Sequence, residues 1–258
     1  MTAAALEVEG VSKSFGGLKA VADFRLSLQP HALAGLIGPN GAGKTTLFNL
    51  LTGVYQPDCG TVRLGGRSLV GLAPYQIARA GLARTFQNIR LFGELPVIDN
   101  VRVAMHAASE ASFWAAIARL PSWHRDDAAL RKRATELLDL LGLADRANDV
   151  ARSLPYGDQR RLEIARALAL RPSVLLLDEP AAGMNPQEKL ALRALIRSVR
   201  DRFDLAVLLI EHDMGLVMDL CDPITVVDHG VIIAHGSPGQ VQHDPVVVEA
   251  YLGRPTEE

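Results

Sequence analysis

Cysteine is nearly absent from this chain of 258 residues, Cys59 and Cys221 being the only two. So wide a spacing offers neither a zinc site nor a disulfide framework, and it points to a reducing compartment. An excess of one charge is lacking too. The formal net charge is −2, with 27 basic and 29 acidic side chains, so no global attraction to nucleic acid or anionic lipid is expected. No apolar run approaches the roughly 18–20 residues of a membrane span. The opening Met1-Thr2-Ala3-Ala4-Ala5-Leu6-Glu7 has no basic stretch followed by an apolar one, so no signal peptide is expected. If such a chain works at a membrane, it does so through a partner. There is no internal repeat. What remains is the composition of an ordinary folded protein, 48% hydrophobic and 22% charged, enough for one large or two small lobes around a core.

Glycine, by contrast, is concentrated in one stretch. Gly38-Pro39-Asn40-Gly41-Ala42-Gly43-Lys44-Thr45-Thr46 fits Gly-x-x-x-x-Gly-Lys-[Ser/Thr]. The glycines let the backbone curl so that its N–H groups face a polyphosphate. Lys44 supplies a charge to the outer phosphates, and the Thr45 hydroxyl is suited to ligate Mg²⁺. Residues 32–37 read as a buried strand and 47–51 as a helix stopped near Gly53. Strand, glycine loop and helix N-terminus, in that order, are what phosphate binding needs.

Around this loop, residues 6–11 alternate polar and apolar as a half-buried strand does. Residues 14–17 form a turn, and 18–28 read as a strand pair. Phe15 is the one aromatic nearby, either a hydrophobic plug or a flat face for a nucleotide base. Residues 61–64 read as a strand followed by a Gly65-Gly66 hairpin turn, 74–80 as a short helix, and 82–87 as a strand ending at Gln87. From 88 to 150 apolar residues recur at helical spacing, in 98–107, 113–120 and 128–141. This is a helical insertion between two halves of a strand-rich core. Trp114 and Trp123 fall within it, to pack that lobe or to meet a partner; Arg131-Lys132-Arg133 reads as a solvated face. A helix is expected over 160–170 and an amphipathic one over 188–202. Residues 224–227 and 231–234 form a hairpin, and two short helices close the chain, the second capped by Asp244 with Pro245 first.

Residues 174–177 and 205–210 are continuous apolar runs, as strands buried on both faces are. They end in Asp178-Glu179 and in Glu211-His212-Asp213. Carboxylates there lie at the carboxyl edge of the sheet, where the glycine loop also opens. Asp178 is then suited to hold Mg²⁺, and Glu179 to take a proton from water attacking a γ-phosphate. Gln87 is suited to reach the metal or that water, and His212 the γ-phosphate.

With these motifs in this order, the chain resembles the ATP-binding subunit of an ABC transporter over nearly its whole length. Phe15 matches the adenine-stacking aromatic, residues 38–46 Walker A, Gln87 the Q-loop, 154–159 the signature, 175–179 Walker B, 181–186 the D-loop and His212 the switch histidine. The resemblance implies an α/β fold, a P-loop NTPase (RecA-like) core sheet with an N-terminal antiparallel β subdomain and an inserted helical subdomain. Residues 1–87 and 160–258 would form the core and 88–159 the helical part. It implies ATP and Mg²⁺ as cofactors. Phe15, Gly38, Asn40, Gly41, Ala42, Gly43, Lys44, Thr45 and Thr46 would hold the nucleotide, and Thr45, Gln87 and Asp178 the metal. Glu179, His212 and Gln87 would serve hydrolysis. Tyr156, Gly157, Asp158 and Gln159 would complete the ATP site of a second ATP-binding subunit facing head to tail. Two transmembrane permease subunits would dock on the helical insertion at the cytoplasmic face of the inner membrane, with a periplasmic solute-binding protein as an indirect partner and no nucleic acid.

The runs at 83–92, 156–166 and 178–186 and the Ala250-Tyr251-Leu252-Gly253 ending resemble one branch, the ATP-binding subunits of bacterial branched-chain amino-acid importers. Relatives of that branch serve urea and amide uptake and lipopolysaccharide export. A soluble ABC ATPase of ribosomes or DNA would usually carry two ATPase halves, a long coiled coil or a basic surface. A P-loop kinase would not explain the signature and the switch histidine. Two departures stand out. The signature reads Leu154-Pro155-Tyr156-Gly157 where the family has Leu-Ser-Gly-Gly, and Asn185 stands where Asp is usual. Proline lacks both hydroxyl and N–H, so the site completed for a partner is expected to be the weaker one. A different ATPase subunit is then the expected partner, with a homodimer as the other arrangement.

Overall fold

The computed structural model describes residues 4–108 and 121–252. It divides into two compact units, one of residues 1–84 with 173–258, the other Thr85–Pro172.

The first unit holds two sheets. β1 (Leu6–Phe15), β2 (Leu18–Leu28), β4 (Cys59–Leu64) and β5 (Arg67–Ser68) form an antiparallel sheet in the order β2-β1-β4-β5. Residues 18–28 are therefore one strand, not a strand pair. The alternation falters at Asp23, which has φ 46° and donates its N–H to Ser12 Oγ instead of the ladder. Shifts of register along β1 absorb the irregularity without breaking either strand.

The other sheet is β10-β9-β3-β8-β7-β6, made of β3 (Leu33–Ile37), β6 (Leu82–Arg84), β7 (Val174–Asp178), β8 (Ala206–Ile210), β9 (Ile224–Asp228) and β10 (Val231–Gly236). Only β10 runs antiparallel to its neighbour. All five residues of β3, β7 and β8 are buried, as expected for parallel strands covered on both faces. Helix α1 (Lys44–Leu51) buries Leu47, Phe48 and Leu51 in a core shared with Leu6, Val8 and Phe24 of the first sheet and Leu36, Leu176 and Leu208 of the second. The strand expected to end at Gln87 stops at Arg84. Arg84 turns its side chain to Asn49 and Asp178. The N–H of Phe86 goes to the Glu163 carboxylate rather than to a strand, so Gln87 lies in a loop. The remaining helices of this unit are α2 (Pro74–Ala80), α6 (Pro186–Phe203), α7 (Met214–Leu220), α8 (Pro238–Gln242) and α9 (Pro245–Leu252). Helix α7 is too short to show a period and was not expected.

The second unit contains α3 (Val97–Ala108), α4 (Pro121–Leu140) and α5 (Tyr156–Ala169). Val97, Val101, Ala134, Leu138, Leu162 and Leu168 are buried there. Helix α5 opens at Tyr156, four residues ahead of the expected start, because Pro155 serves as its N-cap residue. It packs with α3 and α4 and belongs with them to the unit Thr85–Pro172. The helix expected over 113–120 with Trp114, and the side chain of Trp123, lie outside the described residues. Among the described residues no helix is long and apolar enough to cross a membrane.

Candidate nucleotide site

The loop between β3 and α1 is shaped by close approach. A Cβ at Gly38 would sit 2.0 Å from the Val227 carbonyl oxygen, and one at Gly43, where φ is 101°, 2.5 Å from that of Ala20. Only glycine satisfies both positions. Asn40, Gly41 and Thr45 are exposed. No side chain caps α1 and its first turn holds no acid, so the N–H groups of that turn and the helix dipole are left for an anion. Lys44 is 5% exposed, and its Nζ donates to the carbonyls of Gly38 at 2.7 Å and Pro39 at 2.8 Å. Burial holds its pKa below the usual lysine range, against the pull of Glu179 and Asp178. An uncapped helix end and a buried ammonium fit a polyphosphate.

The two acids differ in setting. Asp178 ends β7 opposite Ile210 of β8. Its Oδ2 lies 2.6 Å from Arg84 Nη2, with both side chains almost fully buried. Arg84 Nη1 also donates to Asn49 Oδ1 at 2.8 Å. Glu179 leaves the sheet at φ 46°, an uncommon conformation for a non-glycine residue, while its N–H stays bonded to the Ile210 carbonyl at 2.9 Å. Its Oε1 meets His212 Nε2 at 2.7 Å. The structure thus brings Lys44, Asp178, Glu179 and His212 together at the carboxyl ends of adjacent strands.

Phe15, at the end of β1, is 42% exposed and so does not plug a cavity. Its ring stands edge-on to Tyr55 at 5.1 Å and 70°. Asp58 steadies that strand end, accepting from Lys13 Nζ and from the Ser14 N–H, each at 2.7 Å. In the second unit Gln87 is exposed, and its carbonyl accepts from Arg160 Nη2 at 2.9 Å. The same nitrogen donates to the Tyr156 hydroxyl at 3.1 Å. Gln159 Nε2 donates to the Leu154 carbonyl at 2.9 Å, and Asp158 lies 3.4 Å from Arg146 and 3.7 Å from Arg161. Asn185 caps α6: its Oδ1 accepts the Glu188 N–H at 3.0 Å while Glu188 Oε2 accepts the Asn185 N–H at 2.9 Å.

Sequence reasoning missed Arg84 and Glu211. A cation closing the strand beside one that ends in Asp178 was a usable signal for Arg84. Glu211 gave none beyond its place at the end of a buried strand.

The model of the ABC transporter family matches residues 21–182. This chain belongs to that family. A second model, described as a branched-chain amino acid ATP-binding cassette transporter, matches residues 231–256. The chain is 48% identical over 248 residues to the high-affinity branched-chain amino acid transport ATP-binding protein LivG of Escherichia coli, covering 96% of this chain and 97% of LivG. It is 47% identical, with the same coverage, to BraF of Pseudomonas aeruginosa, which bears the same description. Among solved structures, the nucleotide-free ATP-binding cassette of an ABC transporter superposes with a TM-score of 0.85 at 28% identity, covering 97% of this chain and 100% of that one. This cassette is therefore a nucleotide-binding ATPase of the ABC fold.

Proposed function

We propose that this cassette hydrolyses ATP to drive uptake of branched-chain amino acids through a membrane importer. The observation that carries this reading is the 48% identity to LivG along nearly the full length of both chains. In this reading Phe15 stacks on the adenine, and residues 38–46 with Lys44 hold the triphosphate. Thr45 and Asp178 would hold Mg²⁺, which when bound neutralises charge on the β- and γ-phosphates. Water attacks the γ-phosphorus as the bond to the ADP oxygen breaks, and Glu179 takes the water's proton. The His212 imidazole, with Nε2 2.7 Å from Glu179, fixes that carboxylate and would stand beside the γ-phosphate. ADP and phosphate leave, and the proton on Glu179 returns to solvent.

The cassette would work at the cytoplasmic face of the inner membrane with two permease subunits, a second ATP-binding subunit and, indirectly, a periplasmic solute-binding protein. With Pro155 as the N-cap residue of α5, the segment from Tyr156 to Gln159 offers a partner's ATP the helix N-terminus and no serine. An unequal pair of sites, and hence a different ATPase subunit as partner, follows from that loss. The test is recovery of the Glu179→Gln form from its native host with ATP present, read by mass spectrometry. Two permeases, a second ATPase and a periplasmic amino-acid-binding protein are expected. Recovery of ribosomal or DNA-repair proteins without permeases would overturn the transport reading.

A further inference from the structure

We propose that Glu211 is a positioning residue for hydrolysis, its buried carboxylate joining the loop after β7 to the loop after β8 so that Glu179 and His212 meet. The proposal rests on the roles given above to those two residues. Strands β7 and β8 are parallel neighbours, in register to Asp178 opposite Ile210. The chain leaves the sheet on both strands at the next residue, Glu179 on one and Glu211 on the other. Two loops departing side by side have no ladder to hold them, yet the pair they carry stands at 2.7 Å.

The Glu211 side chain closes that gap. It is 3% exposed, and its contacts are backbone N–H groups from both loops. Oε1 accepts from Ala181 at 2.6 Å. Oε2 accepts from His212 at 3.0 Å and lies 3.5 Å from the Asp213 nitrogen. The segment from Glu179 to Ala181 is thus tied at both ends, by the Ile210 carbonyl at its start and by Glu211 at its finish. On the other side the same carboxylate fixes the turn that presents His212. Beyond it Asp213 is held by Lys189 Nζ at 2.6 Å and by the Leu216 N–H at 3.0 Å. A carboxylate is acceptor-only, so it serves donors converging from two loops, which no amide or hydroxyl does with both ends. Ala181 also opens the loop that ends at Asn185, so the tie reaches from His212 into the segment where this chain departs from its family.

The test is Glu211→Gln in the assembled transporter. Glutamine keeps the shape, but its NH₂ must face one of the N–H donors, and a tie is lost. Misplacement on the ångström scale lowers turnover by about 10²-fold, so kcat is expected to fall by about 10- to 10²-fold while KM for ATP stays within about twofold. Paired with His212→Ala, the double variant is expected to be no slower than His212→Ala alone, because the geometry Glu211 protects has already been lost. Should Glu211→Gln fail to fold, Glu211→Asp keeps the charge and shortens the reach, and an intermediate kcat at unchanged KM is expected. Unchanged kcat in the variant that folds, a KM that moves with kcat, or effects that simply multiply in the double variant would overturn the proposal. If Glu179→Gln and His212→Ala both retain turnover in the same preparation, the reading of the site fails rather than this inference.

Discussion

Each unit contains a buried arginine–carboxylate pair, and the two serve different surroundings. In the second unit every oxygen of Glu163 is committed: Oε1 accepts from the Phe86 and Arg90 N–H groups, Oε2 from Arg160 Nη1. Arg160, with no exposed surface, also serves the carbonyls of Phe86 and Gln87 and the Tyr156 hydroxyl. That network bolts the loop carrying Gln87 to the first turns of α5. In the first unit Arg84 meets Asp178 through Oδ2 at the edge of the phosphate loop, where the same carboxylate is the proposed metal ligand. Equal burial does not mean equal duty. One pair holds a loop in a fixed place; the other joins β6 to the end of β7 beside the glycine loop, where the proposed reading would have a metal share Asp178.

The comparison breaks first, and most visibly, under mutation. Removing one member of a buried pair strands the other, at a cost of about 3–5 kcal/mol. Glu163→Ala and Arg84→Met should both lose stability of that order in urea titrations without Mg²⁺. The difference should emerge on adding Mg²⁺ and ATP. Arg84→Met should gain more stability than the unmodified protein does, because the metal can replace the lost guanidinium beside Asp178. Glu163→Ala should gain no more than the unmodified protein. Equal gains would show that the Arg84 pair is as closed as the other.

Glu179 sharpens the contrast within the first unit, one residue from Asp178. Glu179→Gln keeps the side chain's size and should leave stability near that of the unmodified protein. Phosphate release should slow by about 10²-fold or more at retained ATP binding. Near-normal turnover would assign the base elsewhere. The closed pair has a pH signature as well. Burial raises the Glu163 carboxyl above its usual value of 4.5. The folded protein then holds more protons than the unfolded chain between 4.5 and the raised value, so this group's contribution falls as pH climbs through that window. The slope from one group is at most about 1.4 kcal/mol per pH unit. Glu163→Gln should remove that downward slope, and an unchanged pH profile would contradict the burial argument.

The sequence exposed what local chemistry dictates. Five-residue runs such as Val174–Asp178 are buried on both faces wherever they pair, so β3, β7 and β8 were legible, as was the glycine loop between β3 and α1. What stayed hidden depended on contacts distant in the chain. Nothing in Leu82-Ala83-Arg84-Thr85-Phe86-Gln87 says that Glu163, far along the chain, takes the Phe86 N–H and ends the strand early. The early start of α5 at Tyr156 escaped too, since it follows Pro155 as N-cap and packing on α3, not composition. Asp23 shows the limit from the other side: a bulge that keeps a strand whole looks, in sequence, like a break.

Asn185 gives the smallest effect and the finest test of open against closed wiring. It is a closed device in miniature, a reciprocal capping box with Glu188 at the start of α6. An aspartate would cap equally well, because its oxygen accepts the same N–H, and its charge would add favourable interaction with the helix dipole of about 0.3–1 kcal/mol. Asn185→Asp should therefore raise the urea midpoint slightly or leave it unchanged. If stability falls instead, the amide makes a contact that a carboxylate cannot, and the asparagine is kept for structure. If stability is kept while turnover changes, the charge at this position acts on the chemistry, and α6 owes nothing to it.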